Sequence, residues 1–282
     1  MSRSPIVFYD IAQAPPVEKT CCSPNPWKTR LALNFKAVPY TTTWVALPDI
    51  AQVRTGLHIP ACRKFQDGTD FFTLPIIQDP ATSALLGDSF DIAIYLQQTY
   101  PDAGAGDLFP PHPTALDFAP PAQADAIMVP LSACRGGPEF AAYARFNARV
   151  DAVFSLHVQL TVQEFPLDPA TAEATKAEFV RRAAGAGVRS WDDFTLAGEA
   201  RESTLASFRD ALGGLAALLL RDTAGPFLFG ARPSYADMIV GAWLRMMCVT
   251  LPKGEWRDLR GWHEGAFGRL HDALEVYAEV KK

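Results

Sequence analysis

Residues 101–121, PDAGAGDLFPPHPTALDFAPP, hold six prolines and two glycines in 21 positions, a density that neither a helix interior nor a central strand tolerates. The segment therefore divides the chain. Before it, short β-branched and aromatic runs alternate with helical periodicity; after it, the periodicity is helical nearly throughout. At 282 residues the chain is about twice the usual domain size of ~150. Two domains are expected: an α/β domain over 1–104, a proline-rich linker over 105–121, and an all-α domain over 122–282.

The first domain reads in order. IVFYDI (6–11) is a buried strand. From residue 24, Trp27, Leu31 and Phe35 fall at i, i+4 and i+8 on one helical face. YTTTWVAL (40–47) is a second strand, and an irregular region follows. TLPIIQD (73–79) and ALLGD (84–88), joined by the turn-rich PATS, form an antiparallel hairpin, and SFDIAIYLQQTY is a helix. A β-α-β unit followed by β-β-α is the thioredoxin-like order, with a four-stranded mixed sheet and a right-handed first crossover. Downstream, helices are expected near 122–162, 170–184, 201–221, 234–249 and 263–280, with FLFG as the one short extended piece.

Charge and cysteine content remove several function classes. The net charge of −5 lies entirely beyond residue 100, a poor basis for neutralising nucleic-acid phosphates. The longest uncharged apolar run, ALGGLAALLL between Asp210 and Arg221, spans ten residues, well short of the ~20 that cross a bilayer. The amino terminus shows no secretory pattern. The five cysteines (Cys21, Cys22, Cys62, Cys134, Cys248) form neither a CxxC pair nor a metal-type spacing. Free thiols, a cytoplasmic setting and no metal are the expectation.

Three places carry candidate chemistry. In CCSPNPWKTR (21–30), Ser23 is a preferred N-cap and Pro24 suits the first helical position. The same place is the carboxyl end of the first strand and the positive end of the first helix, where an α/β sheet receives ligands and an anion is favoured. In TLP (73–75), Pro75 either marks a strand edge or follows a cis peptide bond that opens the Leu74 backbone toward the crevice. Asp88 and Ser89 either cap the next helix or grip a zwitterion, Ser89 taking a carboxylate and Asp88 an ammonium.

These motifs, FYD then SPNPWKTR, TLPII and DSFDIAIYL, in that order, resemble the cytosolic glutathione transferases over nearly the full length. They look most like the etherase-related branch, with its bacterial β-aryl etherases and fungal-specific class A enzymes. RPSYADMIVGAWL is similar to that family's capping box in the helical domain, with Ser234 as N-cap and Asp237 three residues on. The resemblance implies a glutathione transferase of the serine type, with glutathione as co-substrate and Ser23 activating its thiol. Asn25 would add a donor beside the sulfur, Leu74 and Pro75 would bind the cysteinyl backbone, and Asp88 with Ser89 the γ-glutamyl end. The glycyl carboxylate needs a cation. His58, Arg63 and Lys64 lie in the right region, the sequence does not choose among them, and Lys64 is carried forward as the candidate.

Relatives that form mixed disulfides carry a cysteine in front of the proline. Here that position is Ser23, and the neighbouring Cys22 points elsewhere on the chain, so thiolate stabilisation is implied rather than disulfide chemistry. The electrophile side is expected between the domains, lined by Pro24, Trp27, Phe118 and Met128. Hydrophobic aromatic electrophiles, met by conjugation, peroxide reduction or aryl-ether cleavage, all begin from one thiolate. The competing reading is a ligandin-type protein that sequesters polyphenols or other hydrophobic aromatics with weak catalysis. A homodimer follows from the resemblance alone.

Overall fold

The computed structural model describes residues 4–65, 67–111, 115–126 and 137–281. Strand β1 (Ile6–Ala12) leads through a single helical turn, α1 (Val17–Thr20), into α2 (Pro24–Phe35) and then β2 (Tyr40–Ala46). Helix α3 (Ile50–Gly56) and a two-residue hairpin, β3 (Arg63–Lys64) with β4 (Asp70–Phe71), occupy the stretch that the sequence leaves irregular. Strands β5 (Ile76–Asp79) and β6 (Ala84–Leu86) and helix α4 (Ser89–Thr99) complete the domain. The sheet order is β2-β1-β5-β6, with β1 and β2 parallel and the other pairs antiparallel. This is the expected thioredoxin-like arrangement.

A buried ion pair locks α2 onto β1. Arg30 Nη2 donates to Asp10 Oδ2 at 2.6 Å, and both side chains are essentially without solvent. The guanidinium lies against the rings of Phe8, Trp27, Tyr40 and Trp44, at 4.9 to 5.9 Å from their centroids. Burial raises the Asp10 pKa although Arg30 pulls it down. Such a pair costs desolvation and contributes geometry more than net stability. Here it fixes the pitch of α2 against the strand that feeds it.

The helical domain comprises α5 (Ala141–Leu156), α6 (Ala172–Ala183), α7 (Gly198–Ala211), α8 (Gly213–Leu219), α9 (Tyr235–Thr250) and α10 (Lys253–Ala273). Three expectations are corrected. The segment 201–221 is two helices meeting at Leu212 rather than one. The last helix starts at Lys253, ten residues earlier than expected, and is interrupted at 262–265, where His263, Glu264 and Gly265 have positive φ. Within 122–162 the described α-helix is α5 alone, flanked by 3₁₀ turns. FLFG appears as isolated bridges, Phe227 with Gly230 and Phe229 with Arg232. Among the described residues no helix is long and apolar enough to cross a membrane.

Helix α9 is the axle of the molecule, packing on α2 from the first domain and on α5 and α10 from its own. The capping box at its start forms as expected. Ser234 N–H and Oγ donate to Asp237 Oδ2 at 2.7 and 2.9 Å, and Leu228 N–H donates to Asp237 Oδ1 at 2.7 Å. Tyr235, the next residue, is fully buried and donates its hydroxyl to the Ser89 carbonyl at 2.9 Å, tying α9 to the start of α4. The start of the linker is held by Lys36, whose ammonium donates to the carbonyls of Pro101 and Gly106 at 2.9 and 2.8 Å. Gly104 packs against this turn with φ of +66°, where a Cβ would lie 2.1 Å from the Phe35 carbonyl oxygen.

Beyond α10 the backbone runs along the outside of α2 and β2. Asn34 Nδ2 donates to the Tyr277 and Glu279 carbonyls at 2.8 Å, Tyr40 to the Glu279 carbonyl at 3.2 Å, and Thr42 to the Lys281 carbonyl at 2.6 Å. Strand β2 is an edge strand, and this cover blunts an edge otherwise open to pairing.

Candidate functional site

Register brings three separated motifs to one end of the sheet. Ile76 pairs with Tyr9 at the middle of β1, and Leu86 pairs with Ile77, so by strand direction β1 ends, β5 begins and β6 ends on the same side. Leu74–Pro75 directly precedes β5, Asp88–Ser89 lies just past β6, and Ser23 stands at the start of α2, which follows β1 through α1.

Ser23 occupies the N-cap position of α2 with extended backbone (φ −63°, ψ 124°), yet its side chain makes no capping bond. The sequence expectation of a capping hydroxyl is corrected on this point. Its Oγ instead accepts from Gln13 Nε2 at 3.3 Å, which leaves the hydroxyl proton as a donor at a half-buried helix amino terminus. The adjacent thiols are poor alternatives. Cys22 is fully buried and held protonated, its pKa well above the ordinary value because of burial. Burial likewise pushes Cys21 up to about 12.

The Leu74–Pro75 bond is cis, as expected. Asp88, rather than Ser89, is the N-cap of α4: its Oδ1 accepts from Phe90 N–H at 2.8 Å and Asp91 N–H at 3.3 Å. Ser89 is the first helical residue, 5% exposed.

The two backbone segments are bolted together by a residue that the sequence reading passed over. Arg54 on α3 is fully buried. Its Nη1 donates to the carbonyls of Thr73 (2.5 Å) and Gly87 (3.0 Å), and its Nη2 to Pro60 O (2.6 Å) and Cys62 Sγ (3.3 Å). Thr73 and Gly87 each immediately precede a candidate ligand segment, so one guanidinium sets their spacing. A Cβ on Gly87 would sit 2.5 Å from Arg54 Nη2 and 2.8 Å from Ile59 Cγ2. Gly87→Ala should therefore displace the guanidinium, costing about 1–3 kcal/mol of stability, and should weaken binding at the site, as calorimetric titration against the parent would show.

Arg63 and Lys64, neighbours in β3, point to opposite faces. Lys64 is turned to solvent, its side chain 66% exposed and its ammonium paired with Asp70 at 3.1 Å, so the structure does not bring the sequence candidate into the site. Arg63 lies over the Phe71 ring at 4.4 Å. Burial lowers its pKa, while the nearby carboxylates of Asp151 and Asp88 act in the opposite direction. Arg63 is thus half-buried, within electrostatic reach of Asp88 and Asp151. His58 is exposed and lines a neighbouring cavity of about 360 Å³ with Arg54, Cys62 and Asp88.

On the electrophile side the expectations fare unevenly. Pro24 is half-buried beside Ser23. Trp27 is corrected to the core: it is 5% exposed, its indole N–H donates to the Cys21 carbonyl at 2.8 Å, and the Arg30 and Arg245 guanidinia lie over its ring system. Phe118 is also packed inward, 7% exposed and edge-on to Phe146 at 5.9 Å. Met128 lies outside the described residues.

Comparison with known proteins agrees with this fold. Residues 22–99 match the glutathione S-transferase N-terminal domain, and residues 146–277 the glutathione S-transferase C-terminal domain. The chain is 28% identical to the glutathione S-transferase-like protein ustS of Aspergillus flavus, over 98% of this chain and 92% of that protein. Glutathione transferase GSTFuA3 from Phanerochaete chrysosporium superposes with a TM-score of 0.78 at 28% identity, covering 100% of both chains. Glutathione S-transferase CsGST63524 of Ceriporiopsis subvermispora, solved in complex with glutathione, gives 0.73 at 28% identity over 99% of this chain and 100% of that one.

Proposed function

Since this chain belongs to the glutathione transferase family, we propose that it binds glutathione at the sheet end just described and that Ser23 holds the tripeptide's sulfur as thiolate for attack on a hydrophobic aromatic electrophile. The observation that carries this reading is the Ser23 hydroxyl, whose oxygen accepts from Gln13 and caps nothing, leaving its proton to donate. It sits where a capping serine would normally spend its oxygen on the helix, and here it does not. A thiol of ordinary pKa about 8.5 is mostly protonated at neutral pH. One O–H donor, the positive end of α2 and the Asn25 carboxamide together favour the ionised form.

The remainder of the tripeptide fits the neighbouring groups. Leu74, before the cis proline, has backbone N–H and C=O groups that pair with no other backbone group among the described residues. They are available to the cysteinyl backbone. Asp88 and Ser89 at the start of α4 suit the γ-glutamyl zwitterion, with the helix terminus favouring its carboxylate. For the glycyl carboxylate we assign Arg63 in place of Lys64, because Arg63 is half-buried and Lys64 is turned to solvent. A hydrogen bond to a charged group contributes about 1.5–3 kcal/mol. Arg63→Ala is therefore expected to raise KM for glutathione by about tenfold or more, and Lys64→Ala by less than about twofold.

The proposal is tested by assaying conjugation of an activated aryl halide and reduction of an organic hydroperoxide, alongside displacement of a fluorescent hydrophobic probe. Glutathione-dependent turnover of either substrate supports it. Probe displacement by polyphenols with negligible turnover would transfer the reading to sequestration, and failure to bind glutathione at all would end it.

A further inference from the structure

Lys28 is a fully buried cation that the proposed chemistry leaves unused. Its ammonium donates to Asn25 Oδ1 at 2.9 Å and to Asp151 Oδ1 at 2.6 Å. Asp151 comes from α5 in the other domain. Its Oδ1 also accepts from Trp243 Nε1 on α9 at 2.7 Å, and its Oδ2 accepts from Asn147 Nδ2 at 3.2 Å. Three helices from two domains thus meet at the Asp151 carboxylate, which takes the ammonium of α2 and the indole N–H of α9.

The chemistry of the donors fixes the orientation of Asn25. An ammonium has hydrogens and no acceptor, so the carboxamide can only present its oxygen to Lys28. Its Nδ2 group must then face the other way. Asn25 is half-buried at the start of α2, and its Nδ2 has no partner among the described residues. Without the ammonium, nothing described here distinguishes the two ends of this amide, and a flip would offer an oxygen lone pair where a thiolate needs a donor.

We infer that Lys28, anchored across the domain interface by Asp151, is a positioning residue that keeps the Asn25 N–H directed at the glutathione sulfur. This rests on the thiolate reading above. Lys28 itself need not touch the ligand; it acts through the amide, and Asp151 fixes the ammonium so that docking of the helical domain sets the donor geometry of the first. The charged group paired with Lys28 is Asp151, whose carboxylate also acts electrostatically on Arg63.

The test is the apparent pKa of enzyme-bound glutathione, read from its thiolate ultraviolet band and from the pH profile of kcat/KM for an activated aryl halide. Lys28→Met should raise that pKa by about one unit, which is tenfold less thiolate at pH values below both. It should lower kcat/KM about tenfold near pH 6.5 and leave it unchanged where the thiol ionises unaided. In an Asn25→Ala background the same substitution should add nothing further. A Lys28→Met shift of equal size in both backgrounds would mean direct action of the charge and would overturn the inference; so would a lowered melting temperature with no change in thiol pKa. Lys28→Met combined with Asp151→Asn, which removes the carboxylate left unpaired, gives the same comparison should Lys28→Met not fold. A parent enzyme that shows no thiolate band would instead remove the thiolate reading, and the inference with it, whereas a band that persists unshifted in both Lys28 variants removes the inference alone.

Discussion

Replacing Ser23 by alanine should lower kcat/KM for glutathione conjugation by about 10- to 100-fold near neutral pH, the range that follows from losing one hydrogen bond to a charged acceptor worth about 1.5–3 kcal/mol. The deficit should depend on pH in a specific sense. On the proposed reading the hydroxyl holds the bound thiol below its free value of about 8.5. Without it the thiol titrates nearer that value, so the variant lags most at pH 6–7 and converges on the parent as pH approaches about 9. KM for glutathione should move little, since the backbone and carboxylate contacts remain. Cys22→Ala should leave the profile unchanged, because Cys22 is buried and held protonated. Parental rates for Ser23→Ala across the pH range would dismiss the assignment.

The largest stability effect is expected at Asp237. The carboxylate is fully buried and accepts three hydrogen bonds, from Leu228 N–H, Ser234 N–H and Ser234 Oγ. Alanine leaves those donors without a partner, at about 1–3 kcal/mol for each buried unsatisfied group. Part of that is offset, because the parent's charge is itself expensive to bury. A net loss of about 2–4 kcal/mol is expected, or a melting temperature lower by roughly 5–15 °C for a chain of this size. Burial raises the Asp237 pKa to about 6, above its ordinary value of 3.8. A raised folded-state pKa means that the folded form holds its proton longer than the unfolded one. The stability gap between parent and Asp237→Ala should therefore be widest below about pH 4 and shrink as pH rises through about 6. Denaturant titrations at pH 4, 5, 6 and 7 measure this directly, and a gap that widens with pH would contradict it.

What the sequence disclosed and what it withheld divide along a physical line. Local rules carried far: apolar alternation placed β1, β2 and the β5-β6 hairpin, and the Ser-x-x-Asp spacing placed the cap of α9. The cis bond before Pro75 was legible only through its place in the fold. The sequence could not show that Ser23 declines its capping role, because that depends on Gln13 reaching its oxygen. Arg54, Lys28 and Asp151 were missed for a similar reason. Each is an ordinary charged residue in a polar stretch, and its importance lies in partners such as Gly87, or the α5 carboxylate 123 residues distant from Lys28. Lys64 shows the limit from the other side. The resemblance called for a cation and left His58, Arg63 and Lys64 open, whereas strand alternation in a two-residue hairpin decides which of two adjacent cations is turned to solvent.

The backbone of residues 277–281, laid along α2 and β2, also has a consequence for the order in which the molecule is completed. Thr42 waits for a carbonyl 239 residues later in the chain, and at ~5–20 residues per second of ribosomal synthesis that is roughly 10–50 s. Through that interval the first domain can form its sheet and its first helix, but the outer edge of β2 stays uncovered while the helical half is still being made. A cell making this protein therefore carries, for most of each synthesis cycle, a nascent chain with an exposed strand edge, and a chaperone acting on it would find its work between the first domain's emergence and the arrival of those last carbonyls.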